Sequence, residues 1–234
     1  MQPLLLLHGA LGSPAYFEYI KNAFSNDFQI HAPAFEGHAY SPLNHENLNI
    51  TVYVQQVVDY CNEHGLEKVS IFGYSMGGYV ALAFASQYPE RVGSVITLAT
   101  KYDWNAQVAK KEAGFLHPEL ISEKVPKFAT YLEQLHGEAH WKTLVTAVAN
   151  LLLHLGEQPL LTAENLKRIT CKVQIMVGDS DNMVSIDESR QLVEHIAQAN
   201  FAVLPSTIHP FEKVNQGLLL FLLQDFFQKL NNEY

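Results

Sequence analysis

Residues Gly73-Tyr74-Ser75-Met76-Gly77-Gly78 place a serine between two glycines. The apolar run Val69-Ser70-Ile71-Phe72 leads in, and the helical stretch from Gly78 to Ala85 follows. A serine at such a strand-to-helix junction is a nucleophile elbow. The turn is tight and strains its central residue, so the positions two before and two after must be small, as Gly73 and Gly77 are. The Ser75 oxygen would stand clear of the sheet, and the N–H of Met76, opening the helix, would point at a developing oxyanion. A chance Gly-x-Ser-x-Gly in a loop is the bland reading, and the flanking elements argue against it.

A serine needs a base to take its proton. Of the 11 histidines, His209 follows the last expected strand and precedes the last helix, where a base reaches a strand's carboxyl end. The alternative is a turn histidine capping that helix. The base needs an acid to hold its tautomer. In Gly178-Asp179-Ser180-Asp181, Asp181 is preferred, and Asp179 is left to brace the turn through its backbone. Asp103 is a third candidate, or a helix cap. The second oxyanion donor is expected in Leu7-His8-Gly9-Ala10-Leu11-Gly12, from the N–H of Ala10 or of Leu11.

Strand-length apolar runs must position these groups: Pro3–Leu7, Phe28–His31, Lys68–Phe72, Val92–Leu98, Lys172–Val177 and Asn200–Leu204. Helical patterns alternate with them over Ala15–Ser25, Thr51–His64, Met76–Tyr88, Ser185–Ala197 and Pro210–Leu230. The alternation predicts an α/β fold, a mostly parallel sheet of about six strands with helices on both faces and its site at the strands' carboxyl ends. The rhythm breaks between Lys101 and Arg168, where strand signals vanish and helical ones continue. A helical cap over 101–168, inserted between core segments 1–100 and 169–234, is the expectation.

The order Ser75, Asp181, His209, each after a strand, resembles the α/β-hydrolase superfamily. Further matching pieces are His8-Gly9-Ala10-Leu11-Gly12, Gly37-His38, and His209 with Glu212. The resemblance implies Asp181 as the triad acid and a helical lid where the insertion lies. Two departures stand out. Ile208 occupies the place where the family usually has glycine before its histidine, and the family's first two strands, usually an antiparallel hairpin, are absent.

Serine at the elbow points to acyl transfer to water: an esterase, thioesterase, lipase or amidase acting through an acyl-enzyme, with no metal and no organic cofactor. Lyases and acyltransferases share the fold. One is the menaquinone-pathway synthase, which carries an arginine where this chain has Tyr79. A non-catalytic binding protein is a third class. In the cap, Trp104, Phe115, Phe128, Trp141 and Leu151 to Leu153 are candidates for an apolar acyl pocket, and lid packing is the plainer account of most. Leu11 is a further substrate contact. His136 and His140, four apart, lack a third metal ligand and read as surface residues. Lys101, Lys110 and Lys111 suit either an anionic substrate or a solvated face.

The formal charge of −9 argues against nucleic acid and anionic membranes as partners, leaving a small-molecule substrate. Cys61 and Cys171 lie far apart and read as buried free thiols. The leucines at 4–7 have no preceding lysine or arginine and are too few for a signal peptide. The run at 218–223 is too short to span a bilayer, and a cytoplasmic location is expected.

Overall fold

The structure is a computed structural model that describes residues 1–44 and 48–232. Among the described residues, six strands form one all-parallel sheet: β1 (Gln2–Leu7), β2 (Phe28–His31), β3 (Val69–Tyr74), β4 (Val92–Leu98), β5 (Lys172–Gly178) and β6 (Ala199–Leu204), in the order β2-β1-β3-β4-β5-β6. The order reverses at β1, a topological switch point.

Alternate residues of each strand enter opposite cores, which is why the strands read as continuous apolar runs. Leu5, Leu7, Ile71, Val95 and Ile175 pack on one face with α2 (Ile50–Glu63), α3 (Met76–Gln87) and α9 (Ile186–Glu194). Leu4, Leu6, Phe72, Ile96 and Met176 pack on the other with α1 (Glu18–Phe24) and α10 (Gln216–Asn232). Helix α2 starts where Asn49 caps it, its side chain accepting from the N–H of Val52, and it buries Ile50, Tyr53, Val54, Val57 and Cys61 on one stripe. Helix α3, behind the elbow, is buried from Met76 to Ser86.

Between β4 and β5 lie only helices among the described residues: α4 (Ala106–Ala113), α5 (Pro118–Lys124), α6 (Pro126–His136), α7 (Trp141–Glu157) and α8 (Ala163–Leu166). Their apolar stripes face two ways. Ile121, Leu132, Trp141, Leu144, Val145 and Val148 form a cluster of their own that admits Leu11 from the loop after β1. Leu151 and Leu155, farther along α7, join the sheet-side core, as does Leu166 of α8. The insertion is thus seated on the core at its far end and grips the β1 loop at its near end. No helix among the described residues is long and apolar enough to cross a membrane.

Candidate active site

Strand β3 delivers Ser75 into a left-handed conformation, φ 51° and ψ −117°, that a residue with a Cβ rarely adopts. Backbone bonds hold it there. Its N–H donates to the carbonyl of Leu98 at 2.8 Å, and the Thr100 hydroxyl donates to its carbonyl at 3.2 Å. The flanking glycines are obligatory on steric grounds. A Cβ on Gly73 would come within 2.5 Å of the Gly77 carbonyl oxygen, and one on Gly77 would collide with the Leu7 carbonyl.

The Ser75 hydroxyl lies 3.2 Å from Nε2 of His209, and Nδ1 of His209 lies 2.8 Å from Oδ2 of Asp181. The carboxylate only accepts, so Nδ1 carries the proton and Nε2 turns its lone pair to the serine. The other Asp181 oxygen accepts from the N–H groups of Met183 (2.8 Å) and Val184 (2.9 Å), and its side chain is wholly buried. The Tyr74 hydroxyl donates to the His209 carbonyl at 2.7 Å, buttressing the loop from behind.

Asp179 does not reach His209. Its Oδ1 accepts from the Thr207 N–H and the Ser180 hydroxyl, tying the aspartate turn to the histidine loop. Donors led by the Ser206 backbone N–H hold its carboxyl below the usual carboxylate range. Thr207 is buried, whereas Ile208, at the position of the expected glycine, is turned outward. Asp103 is exposed and gives its N–H to Glu188.

The two candidate oxyanion-donor positions are built differently. Met76 opens α3, so its N–H has no intrahelical acceptor. In the β1 loop, the N–H of Leu11 is already donated to Nε2 of His38 at 3.1 Å. The N–H of Ala10, an exposed residue, meets no acceptor among the described residues. Of the two alternatives left open by the sequence, Ala10 is the one with a donor to offer.

A cluster of three buried histidines backs this loop. His8 Nδ1 contacts the Gly9 carbonyl at 2.8 Å, and its Nε2 accepts from the Phe35 N–H at 3.1 Å. His38 Nδ1 contacts the Glu36 carbonyl at 3.0 Å. His136, from the end of α6, accepts the Ala39 N–H on Nδ1 at 3.0 Å and lies 3.1 Å from the Leu11 carbonyl through Nε2. A backbone N–H can only donate, so each ring is neutral with its tautomer fixed: protons on Nδ1 of His8 and His38, and on Nε2 of His136. Burial pushes the His8 imidazole down to about 4, His38 well below its ordinary range, and His136 down as well.

Several sequence expectations change here. His136 is not a surface residue; both its nitrogens are committed to backbone groups, so it has no lone pair for a metal. No cluster of possible metal ligands exists among the described residues. Lys101 is spent on Glu188 (3.0 Å) and the Met183 carbonyl (3.3 Å), part of a staple in which Glu188 also accepts the N–H groups of Tyr102 and Asp103. Lys111 pairs with its neighbour Glu112 on α4. Phe115 is largely exposed, and Leu151 is a core residue. Trp141 is buried in the cluster with Leu11, and Trp104 is half-buried, its Nε1–H donated to the Lys101 carbonyl. Tyr79, where the synthase carries arginine, is buried and accepts the N–H groups of Leu160 and Leu161 at 3.0 Å each. Cys61 is a buried free thiol, as expected; Cys171, also free, is only half-buried.

The chain matches known proteins in line with this geometry. It is 35% identical over 99 residues to a probable alcohol acetyltransferase of Cyberlindnera fabianii, covering 41% of this chain and 27% of that protein. It is 30% identical over 100 residues to a putative 2-succinyl-6-hydroxy-2,4-cyclohexadiene-1-carboxylate synthase of Bacillus subtilis, covering 42% of this chain and 36% of that one. The matches thus span about a third of these relatives' lengths. A thermophilic esterase from Thermogutta terrifontis superposes with a TM-score of 0.82 at 22% identity, covering 98% of this chain and 90% of the esterase, a likeness of fold. The model of the alpha/beta hydrolase fold matches residues 2–154, a span that takes in the β1 loop, the elbow and most of the helical insertion, and the chain belongs to that family.

Proposed function

We propose that the chain is a serine hydrolase that cleaves a carboxylic ester or thioester of a small, apolar acyl group. The observation that carries this reading is the line from Ser75 Oγ to His209 Nε2 and from His209 Nδ1 to Asp181, with distances of 3.2 and 2.8 Å. Ser75 Oγ attacks the acyl carbon as His209 takes its proton, and the carbonyl oxygen becomes an oxyanion received by the N–H groups of Met76 and Ala10. His209 passes the proton to the departing alkoxide or thiolate, which leaves an ester on Ser75. A water molecule, deprotonated by the same imidazole, then attacks that ester, and collapse returns the proton to Ser75 and frees the acid.

These steps use no metal ion or organic cofactor. An uncharged acyl group is favoured because Lys101, the candidate cation on the segment after β4, is engaged by Glu188, while Lys110 and Lys111 lie exposed on α4. Trp104, Trp141 and Leu11 are the proposed contacts to its apolar part, the substrate is a small molecule, and the proposed location is the cytoplasm.

A second reading is acyl transfer to an alcohol, favoured by the identity to the Cyberlindnera protein. The two share the acyl-enzyme and differ in what resolves it. Labelling with a fluorophosphonate, followed by turnover of a p-nitrophenyl ester series with and without added ethanol, tests both. Hydrolysis reading: Ser75 labels and free acid is the main product. Predominant ethyl ester in dilute ethanol assigns transfer instead, and an unlabelled serine overturns both.

A further inference from the structure

The hydrolase reading makes the N–H of Ala10 an oxyanion donor, and something must aim it. Three consecutive peptide groups of the β1 loop are each held by a different imidazole. His8 donates to the carbonyl of Gly9, the far side of the same planar group that carries the Ala10 N–H. His38 accepts the N–H of Leu11, in the next group. His136 donates to the carbonyl of Leu11, in the group after that. The first two rings belong to the core. The third comes from the insertion, 125 residues away in sequence.

The loop needs this grip. Leu11 has φ 55°, and Ala39, whose N–H binds His136, has φ 47°. Non-glycine residues in that region are strained and persist only where their surroundings over-determine them. The Leu11 side chain is buried among Ile121, Leu132, Trp141 and Leu144 of the insertion. Side chain and carbonyl of the residue next to the donor are therefore both held by the insertion.

We propose that His136 is a positioning residue: through the Leu11 carbonyl it sets the direction of the Ala10 N–H, making helix α6 part of the scaffold for the oxyanion. This rests on the hydrolase reading, and it assigns the insertion a share in the chemical step as well as in substrate choice. A donor displaced by about 1 Å forfeits much of its value in the transition state while barely altering ground-state binding.

The test compares three variants with the wild type. His136→Leu removes both hydrogen bonds. His136→Gln keeps an amide N–H near the place of Nε2. Tyr40→Phe removes a different tether of the insertion, the hydroxyl that donates to the Gln134 carbonyl at 2.9 Å, without touching Leu11. Measured are kcat and KM on one ester, the inhibition constant of a trifluoromethyl ketone whose adduct with serine bears an oxyanion, and the melting temperature.

For His136→Leu, kcat should fall about 10- to 100-fold with KM within about threefold, and the ketone should weaken by a similar factor. His136→Gln should recover most of that loss, and Tyr40→Phe should keep wild-type kcat. The proposal is overturned if His136→Leu keeps kcat and ketone affinity, if its loss lies in KM, or if Tyr40→Phe loses as much. Imidazole nitrogen shifts by NMR separate this from failure of the hydrolase reading. A wild type showing the assigned tautomers but neither labelling nor ester turnover overturns the catalytic role of His136 together with that reading, the clamp itself then being structural only. Other tautomers with turnover intact overturn the clamp alone.

Discussion

The elbow and the β1 loop supply the two proposed oxyanion donors, yet they are held by opposite means. Ser75 is strained by its immediate neighbours, with glycines two residues to either side and a strand and helix abutting it. Its outside supports are backbone and hydroxyl groups at the end of β4, Leu98 and Thr100. The β1 loop contains few internal restraints, such as the turn bond from the Gly12 N–H to the Gly9 carbonyl. Its other polar supports include imidazoles, one adjacent in sequence, one 27 residues away and one 125 away. A nucleophile can be set by local sterics, which are stiff and short-ranged. A donor on a loop must borrow rigidity from elements that fold against it.

The contrast can be broken at its stiff end first. Ser75→Ala should abolish fluorophosphonate labelling and reduce ester turnover by about 10⁴-fold or more, with the fold intact by circular dichroism. Undiminished labelling would move the nucleophile elsewhere. Next in size is Asp181→Asn, expected to cost on the order of 10⁴ in kcat because the amide favours the wrong histidine tautomer. Asp179→Asn should lower the melting temperature and leave kcat near wild type, since that carboxylate braces Thr207 and never meets the base. An exchange of these two behaviours would reverse the assignment of the acid.

The loop's remote supports predict a pH effect that the elbow does not share. The clamp works only with neutral rings: His8 faces His38 and His136, His136 faces His140, and the carboxylate of Glu36 is buried nearby. Folded pKa values are depressed, to about 4 for His8. The unfolded chain takes up these protons below about pH 6.5 while the folded chain refuses them, so stability is complete above that pH and declines as pH falls toward 4. His8 alone should contribute a loss of about 2 kcal/mol between pH 7 and pH 5. Urea unfolding at the two pH values measures it, and His136→Leu should show a shallower decline. A flat profile would mean the rings are not held neutral. The smallest effect is expected at Trp104. Its truncation to alanine should change the ratio of activities on long and short acyl esters by about tenfold, while Ser75 labels at the wild-type rate. An unchanged ratio with lowered melting would make that indole a packing residue.

The same contrast explains what could be read from the chain. Strand limits moved by no more than two residues, as with β3, which runs on to Tyr74, because both-face burial writes an unbroken apolar run. Gly73, Ser75 and Gly77 declare themselves by spacing, and the loop positions of Asp181 and His209 follow from the strands before them. His136 did not. It closes a helix among Glu133, Gln134 and Gly137, a polar neighbourhood that reads as surface. Its one signal was its place four residues after Leu132, on the stripe that α6 buries. The contact that defines it lies across the fold, and no periodicity within the helix encodes it. Glu188 is similar: a first-turn acid of α9 that reads as a favourable helix end, and whose carboxylate meets three donors from the segment after β4.

The seat of Leu11 in the insertion bears on how this protein can be re-engineered. Exchanging the helices between β4 and β5 for those of another hydrolase is an obvious way to transplant substrate preference. Here the donor helices would have to bring a side chain that binds the Leu11 carbonyl and a socket for its isobutyl group, or the recipient would acquire a new pocket above a β1 loop stripped of the support we propose for its donor. A chimera that keeps the stretch from Pro126 to Val148 and grafts only what lies outside it avoids that loss.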